Sequence, residues 1–587
     1  MPREAPAASS TPTSRIVPRP VLAGLLAAAA FVFGAMLFVH LSYPLLWEDE
    51  GDSVIFGRSI LRYGFPKVHD GPNVLYGLKE KLELGVDERT DAYTGAPWMN
   101  YYLGAIGVAL AEGATDVHDK TFWLRFPYTV TGVFGLALLF VAILPGLRGR
   151  PGARQLSALA YLAMLSVSIS LILHLREARY YPIVILLYGA LLYAFAYRHF
   201  FARLSYGRYA FLTFTSLFLL FNTFYPAFGV WCAAASLFLF FRGWRQVQTA
   251  EGEGAGIVGR FWQAVRFTLW ENAPVFAATA AVLPLLLFFD FVFQASRWFD
   301  QFDSSLAVYA RNLEFVAHSM LRFEFGALVL GLKALLGIAL WTRPDRRWPA
   351  GLEALRGLSA FLVVLLFAYA AIVTRSPFLF ERYFLTMGPL VTLLVLVDAR
   401  LLWRVLAAEG GVSVGWRRGL AAAAAIAVVA SLAVRAPELG GRLTEMRTPY
   451  KGPLDYAVPY LLERYDRPEE LVVATNYAEP VLMYYLGAHV IVGYYGANLE
   501  ADLKLQPDVI VPRPWQQQYD SLETLFRRAR YAPRAFEVKT QSTNNIPALS
   551  PYTPGGLVHR YETVLAENDR ERFVIWERVP EPSNDGP

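Results

Sequence analysis

Long apolar segments separated by short polar connections run through most of this chain. A helix that crosses a membrane needs roughly 20 mostly apolar residues. Eleven segments approach or exceed that pattern, near 21–44, 127–147, 156–174, 181–197, 208–221, 225–241, 273–294, 325–342, 357–373, 384–402 and 419–434. After residue 437 the pattern changes to short β-branched runs, such as LVVAT and DVIVPR, that alternate with helical stretches. The pattern predicts a polytopic α-helical membrane protein with about eleven spans over 21–435 and a small α/β domain over 440–587.

The composition agrees with a membrane protein and excludes two other classes. Hydrophobic residues make up 55% of the 587 residues and charged residues only 18%, outside the usual mix of a globular protein. The net charge of +5 comes mainly from arginines spread over short connections, which argues against a nucleic-acid partner. The one cysteine, Cys232, excludes an intramolecular disulfide and a cysteine-based zinc site.

The distribution of arginine predicts the orientation. Arginine-rich connections, such as those near 148–154, 242–266 and 400–418, alternate with poorer ones, and the rich ones are expected in the cytoplasm. Residues 1–20 are then a disordered cytoplasmic tail, whereas the loop 45–125 and the domain 440–587 lie outside the plasma or inner membrane. The apolar run Val21–Leu46 is longer than the core of a signal peptide and lacks a small-residue cleavage site, so we interpret it as an uncleaved span.

A dense acidic cluster follows this first span at once. The sequence WEDEGD places Glu48, Asp49, Glu50 and Asp52 within a few residues of Leu46. A carboxylate next to hydrocarbon is costly unless it is paired, solvated or bound to a metal. The simpler interpretation is a wet loop that caps the next helix, with Asp49 or Asp52 as the N-cap. Two pieces of the loop, SVIFGRSILRYG and WMNYYLGAIGVALAEG, are predicted to be amphipathic helices lying in the interface, although the second also fits a re-entrant segment.

Other polar groups are predicted on the same outer face. Taken singly, an arginine at the end of a span is typical of a side chain that extends to the interface. Taken together, these groups suggest a cavity with carboxylates and guanidiniums on facing walls, suited to a base that takes a proton while a phosphate leaves. The candidates for this cavity, besides the acids, are Arg125, Arg176, Glu177, Arg179, Tyr180, Trp298, Glu381, Arg382 and Tyr383.

Several motifs, in order along residues 20–400, resemble one enzyme class. They are Asp49-Glu50 after the first span, then FGRSILRYGFP, APWMNYYLGAIG, LRFPYTVTG, the Arg-Glu-Ala-Arg element at 176–179 and Arg382-Tyr383 followed by Pro389. This set resembles the GT-C type integral-membrane glycosyltransferases. The resemblance is greatest to the protein-O-mannosyltransferase-like family (glycosyltransferase family 39) and to its aminoarabinose-transferase and Rgt-type relatives.

The resemblance implies transfer of a sugar from a polyprenyl-phosphate donor to a hydroxyl or amine of a lipid, glycan or protein acceptor on the outer face. It implies Asp49 as general base, Glu50 as supporting acid or metal ligand, and Arg176, Arg179 and Arg382 as ligands of the donor phosphate. Adjacent acids and a phosphate suit Mg²⁺ or Mn²⁺, although the sequence does not require a cation. The aminoarabinose transferases carry a lysine before a Pro-Pro pair, where this chain has Gly95-Ala96-Pro97, so lipid A is not the preferred acceptor.

Two other function classes stay open at this stage. A transporter or flippase of lipid-linked sugars would use the arginines and the intramembrane Lys333 as a path, and Lys333 alternatively pairs with Asp290. A non-catalytic assembly or receptor protein would work through its C-terminal domain. Two His-Asp pairs, in KVHDG (67–71) and DVHDK (116–120), are more typical of exposed loops than of a metal site. Tyr43, Trp47 and Trp123 are interpreted as an interfacial belt.

Overall fold

The computed structural model describes most of the chain. It covers residues 18–75, 85–87, 89–147, 152–250, 257–289, 291, 303–343, 348–408, 412–496, 498–514, 516–552, 559, 561 and 572–580. The predicted N-terminal tail up to residue 17, Asp290 and the predicted site residue Trp298 lie outside the described residues.

Most of the described residues in the membrane part are helical. Its first four helices are α1 (Arg19–Phe38), α2 (Glu48–Tyr63), α3 (Met99–Ala111) and α4 (Val117–Ile143). The helices that follow are Ala153–Leu165, Ile169–His174, Tyr181–His199, Tyr206–Phe221, Tyr225–Ala250, Ile257–Glu271, Ala273–Phe288, Leu306–Arg322, Gly326–Trp341, Glu353–Val373, Met387–Ala407 and Val414–Ala433. Each of the eleven predicted segments contains helix, and the prediction for 156–174 is divided into two helices at residues 166–168.

Six of these helices are long and apolar enough to cross a membrane, or up to eight if each of two bent helix pairs forms one span. The protein is therefore a multi-pass membrane protein. The bent pairs join Ile257–Glu271 to Ala273–Phe288 at 62° and Leu306–Arg322 to Gly326–Trp341 at 76°.

One helix begins ten residues earlier than the apolar pattern predicts, because of a polar cap. The Asp116 side chain accepts hydrogen bonds from the backbone N–H groups of His118 and Asp119, which satisfies donors that a helix start leaves free. Helix α4 therefore begins at Val117 and carries Arg125 inside its body. This extension brings the arginine beside the first turn of α2.

The C-terminal part forms the predicted α/β domain. Its helices are Ala436–Arg447, Leu454–Arg464, Glu479–Leu486, Leu499–Asp502 and Tyr519–Phe526. Outside this domain, the loop 45–125 forms two separate short hairpins, β1 (His69–Asp70) with β2 (Asn73–Val74) and β3 (Val86–Asp87) with β4 (Ala92–Tyr93). The five-stranded sheet of the domain contains β5 (Val472–Thr475), β6 (His489–Val492), β7 (Val509–Val511), β8 (Tyr531–Lys539) and β9 (Arg572–Arg578) in the order β6-β5-β7-β9-β8. Strand β5 pairs in parallel with β6 and β7, and β9 pairs antiparallel with β7 and β8.

The loop 45–125 and the C-terminal domain share one hydrophobic core. Buried residues of α2 and α3, including Phe56 and Tyr101, belong to the same cluster as Val481 and Leu482 of the helix Glu479–Leu486. The close approach of α2 to the helix Glu479–Leu486 requires glycine at position 51, because a Cβ there would stand 2.9 Å from a Val481 side-chain carbon. Helix α2 is consequently buried along most of its length, and its first turn lies at the junction of the membrane helices and the domain.

Candidate active site

The first turn of α2 presents Asp49 to two arginines from distant parts of the chain. The Asp49 Oδ2 atom lies 3.2 Å from Arg179 Nη2 and 3.7 Å from Arg382 Nη2. Arg179 Nη1 also donates a hydrogen bond of 2.7 Å to the backbone carbonyl of Asp49. The Asp49 side chain keeps 27% of its surface exposed, so the carboxylate can still be reached from outside the protein.

Local structure fixes where the two arginines stand. Arg179 lies in the turn between the helices Ile169–His174 and Tyr181–His199, and Arg382 lies in a 3-10 helix, Glu381–Phe384, just before Met387–Ala407. Burial disfavours the charged form of both arginines. Asp49 and the neighbouring tyrosines together outweigh this effect, so the pKa of each guanidinium is raised. Both Nε atoms are buried without a hydrogen-bond partner, which leaves donors available for a ligand.

Glu50 has a different environment from its neighbour Asp49. Its side chain is fully buried, and Arg125 binds it with two hydrogen bonds, of 2.8 Å from Nε and 2.6 Å from Nη2. The backbone N–H groups of Ala178 and Trp47 donate to the same carboxylate at 2.7 and 3.4 Å. Trp47 is the N-cap residue of α2, and Glu50, at the third helical position, accepts from its backbone N–H. The prediction that Asp49 or Asp52 is the N-cap is therefore wrong. The contacts of Glu50 are those of a residue that positions α2, and the role of supporting acid stays a prediction.

Arg125 holds the segment between the first two helices. Besides binding Glu50, its Nη1 donates to the carbonyls of Leu41 and Pro44 at 3.0 and 2.7 Å. Only 2% of the Arg125 side chain is exposed. The ion pair thus lies behind the site and fixes the path by which the chain turns from α1 into α2.

The remaining acids of the cluster face the C-terminal domain. Glu48 and Glu479 are both buried, and burial together with the proximity of Glu479 and Asp52 raises the pKa of the Glu48 carboxyl well above its usual range. Asp52 is also buried and is an electrostatic neighbour of Tyr101 and Tyr495. These two carboxyls belong to the domain junction, whereas Asp49 alone among the four acids pairs with Arg179 and Arg382.

Aromatic rings form a wall beside the arginines. The guanidinium carbon of Arg382 stands 5.0 Å from the centre of the Trp47 ring and 4.5 Å from that of Phe380. Tyr180 stacks on Phe224 with ring centres 4.8 Å apart, and Phe224 lies 6.2 Å from Tyr383. Trp47 is only 4% exposed, so the prediction that it belongs to an interfacial belt is wrong. Aromatic faces next to guanidiniums suit the apolar face of a sugar and the charge of its phosphate.

Arg176 binds a neighbouring part of the structure. Its Nη2 donates to the carbonyls of Val39 and His40 at 3.0 and 2.6 Å, at the end of α1. No ion pair joins it to Asp49 among the residues that the structure describes. Its contacts are those of a helix cap, and its predicted role as a phosphate ligand stays a prediction.

Glu177 and Glu381 belong to a buried network of acids and histidines. His174 lies between them, with Nδ1 at 3.1 Å from Glu177 and Nε2 at 3.0 Å from Glu381. His559, from the C-terminal part of the chain, contacts Glu381 at 2.7 Å and Glu438 at 3.4 Å. The network ties the 3-10 helix that carries Arg382 to the helix that precedes Arg179. Glu177 and Glu381 therefore stand behind the arginines rather than in a substrate cavity.

Comparison with known proteins gives a likeness in overall structure. No known family model matches the chain, and no curated protein matches it. Two solved structures of ArnT from Cupriavidus metallidurans, one bound to undecaprenyl phosphate and one in the apo state, are similar to it. In each case the identity is 13%, 95% of this chain and 98% of that chain are covered, and the TM-score is 0.49. The likeness is one of fold.

The acids and histidines that the structure describes are not gathered into a set of metal ligands. Among the residues that the structure describes, no group of three or more His, Cys, Asp or Glu is placed to hold a metal ion. Asp49 faces guanidiniums and Glu50 is occupied by Arg125, so the adjacent pair does not fit a shared cation. The two His-Asp motifs are also separate: His69 pairs with Asp91 at 2.6 Å, and His118 stacks on Tyr43.

Sequence reasoning missed part of the site. It interpreted Trp47 as part of an interfacial belt and gave no role to His174 or His559, because nothing in the local pattern marks which distant segments will meet. Lys333 pairs with Asp398 at 2.9 Å, a partner that the sequence did not suggest. Because the opposite charges of Lys333 and Asp398 compensate each other, this pair supplies no free charge for a translocation path.

Proposed function

We propose that this protein is a glycosyltransferase that moves a sugar from a polyprenyl-phosphate donor to an acceptor hydroxyl or amine at the extracytoplasmic face of the membrane. The observation that supports this most directly is the reachable Asp49 carboxylate between Arg179 and Arg382, at 3.2 and 3.7 Å. A base and two phosphate-binding groups are the parts that the reaction needs within one site.

In the proposed reaction the acceptor oxygen attacks the anomeric carbon of the sugar. The bond from that carbon to the phosphate oxygen breaks, and polyprenyl phosphate leaves with the electron pair. The acceptor proton passes to the Asp49 carboxylate. A carboxylate is a weak base, so its contribution comes from being held within hydrogen-bond reach of the hydroxyl.

The guanidiniums of Arg179 and Arg382 oppose the negative charge that grows on the leaving phosphate. A guanidinium binds phosphate oxygens through paired N–H donors, and each of these arginines has a buried Nε–H without a partner. The buried Glu50–Arg125 pair and the network around His174 and Glu381 hold the three segments at their distances. A lipid-linked donor also gives a reason for a site at the boundary of so many apolar helices.

The test uses the full chain in nanodiscs, a polyprenyl-phosphate sugar and a membrane extract as the source of acceptor. Mass spectrometry should detect loss of the donor and accumulation of free polyprenyl phosphate only when protein and extract are both present. Donor lipid that stays intact with every sugar tested, or that only crosses the bilayer unchanged, would contradict the proposal.

A further inference from the structure

A small cavity between the C-terminal domain and Trp47 lies next to the candidate active site. The lining residues include Trp47, Tyr477, Arg513, Thr543 and Asn545. Trp47 also carries the Arg382 guanidinium on its ring, so a single side chain touches both the candidate active site and this cavity. Trp47 directly precedes α2, and the first turn of α2 carries Asp49.

The topology of the sheet places the arginine where ligands commonly bind. Asn476 follows strand β5 and Arg513 follows strand β7, two residues beyond its end. These two strands are parallel neighbours, and ligands of open α/β sheets bind in the crevice outside the carboxyl ends of such strands. Asn476 fixes the backbone of Arg513 with two hydrogen bonds, accepting from its N–H at 2.8 Å and donating to its carbonyl at 3.1 Å.

Several polar atoms around the cavity lack partners. Arg513 is 3% exposed and uses Nη2 to donate to the Ser542 carbonyl at 2.9 Å, but its Nε and Nη1 are buried without a hydrogen bond. The indole Nε1 of Trp47 and the Oδ1 of Asn545 are also buried and unpartnered. Most of these atoms are donors, and an unsatisfied buried donor is costly. The cavity therefore suits a ligand rich in oxygen atoms.

The charge of the guanidinium is likewise uncompensated. No carboxylate forms an ion pair with Arg513 in the described part of the chain. Burial lowers the pKa of Arg513 to about 10, and only the phenols of Tyr477 and Tyr450 act against that effect. A buried cation without a counterion is destabilising, so an anion is the ligand that fits best.

We propose that Arg513, Trp47 and Asn545 form an oxyanion subsite, supplied jointly by the C-terminal domain and the start of α2, that binds a phosphate or carboxylate group of the acceptor. The inference rests on the proposed function, in which Arg179 and Arg382 already hold the donor phosphate. It gives the C-terminal domain a role in selecting an anionic acceptor.

The test measures phosphate binding by the full chain in detergent or nanodiscs, with inorganic phosphate as the probe and the unfolding temperature as the signal. Arg382→Gln is the background, because it weakens the donor site. In this background phosphate should raise the unfolding temperature. Adding Arg513→Gln should weaken the apparent affinity for phosphate at least about tenfold. Arg528→Gln, an exposed arginine of the same domain, is the matched control and should change nothing.

Asn545→Asp is a second variant that keeps the shape of the site. Its new carboxylate should pair with Arg513, raise the unfolding temperature without phosphate and abolish the phosphate response. Equal phosphate binding with and without Arg513→Gln would overturn the proposal. So would an Arg513→Gln variant that loses undecaprenyl phosphate as completely as Arg382→Gln does, since the subsite would then belong to the donor.

The two proposals fail separately. Sugar transfer that survives Asp49→Asn would refute the proposed base while leaving the Arg513-dependent binding of phosphate intact. Loss of that binding with transfer still dependent on Asp49 would refute the subsite alone.

Discussion

Replacing Asp49 by asparagine separates the proposed base from a structural role. The substitution keeps the shape of the side chain and removes the charge that faces Arg179 and Arg382 at 3.2 and 3.7 Å. Partly exposed ion pairs contribute only about 0.2–1 kcal/mol each, so the free energy of unfolding should change little. General-base catalysis contributes roughly 10²–10⁴-fold, which is about 3–5 kcal/mol of transition-state stabilisation.

Binding and turnover should therefore respond differently. Asp49→Asn removes a negative charge next to the phosphate-binding arginines, so the affinity for undecaprenyl phosphate should stay unchanged or increase. The rate at which polyprenyl phosphate is released from the sugar donor should fall by at least about 10²-fold. Binding is measured by thermal shift with undecaprenyl phosphate, and release by mass spectrometry of the donor lipid.

Asp70→Asn is the matched control. Asp70 also pairs with two arginines, Arg58 at 2.5 Å and Arg62 at 2.9 Å, and it lies in the same loop 45–125 without a contact to Arg179 or Arg382 among the described residues. Both variants thus remove a carboxylate that pairs with two guanidiniums, but only Asp49→Asn should lose turnover. If the two variants retain activity within about threefold of each other, a difference under 1 kcal/mol, the reasoning for Asp49 is refuted.

Three further predictions follow from the contacts around the site. Glu50→Gln leaves Arg125 buried and uncompensated, so it should destabilise the protein by about 3–5 kcal/mol and lower the unfolding temperature strongly. An unfolding temperature like that of the unmodified protein would contradict the positioning role of Glu50. Arg382→Gln should weaken the binding of undecaprenyl phosphate by roughly 10–100-fold because charged hydrogen bonds contribute about 1.5–3 kcal/mol, and unchanged binding would remove Arg382 from the donor site. Burial acts against the charged form of His559, but Glu381 and Glu438 together outweigh it and raise the pKa of the imidazole from 6.5 to about 10. The stabilisation from His559 is therefore complete below pH 6.5 and is lost as the pH rises through about 10. Unfolding temperatures between pH 6 and 10 should fall less in His559→Gln, and an identical slope in the two proteins would contradict this.

Much of the architecture could be predicted from the sequence because it depends on local pattern. A run of about 20 apolar residues has few alternatives to a helix in or beside a membrane, and alternating β-branched runs with helical stretches predict an α/β domain. The starts of helices were less predictable. Helix α4 begins at Val117 because Asp116 caps it, outside the apolar run that the prediction followed.

The acids at 48–52 show where sequence information ends. The sequence determines that four carboxyl groups follow the first apolar span, and that arginines stand at the ends of later spans. It does not determine which acid meets which arginine, since consecutive residues of a helix point about 100° apart. The tertiary structure turns Glu50 inward to Arg125, Glu48 towards Glu479 of the C-terminal domain, and Asp49 outward to Arg179 and Arg382. Contacts between residues 75 or more positions apart depend on how the helices pack, and that packing decided which of the four acidic side chains is left reachable.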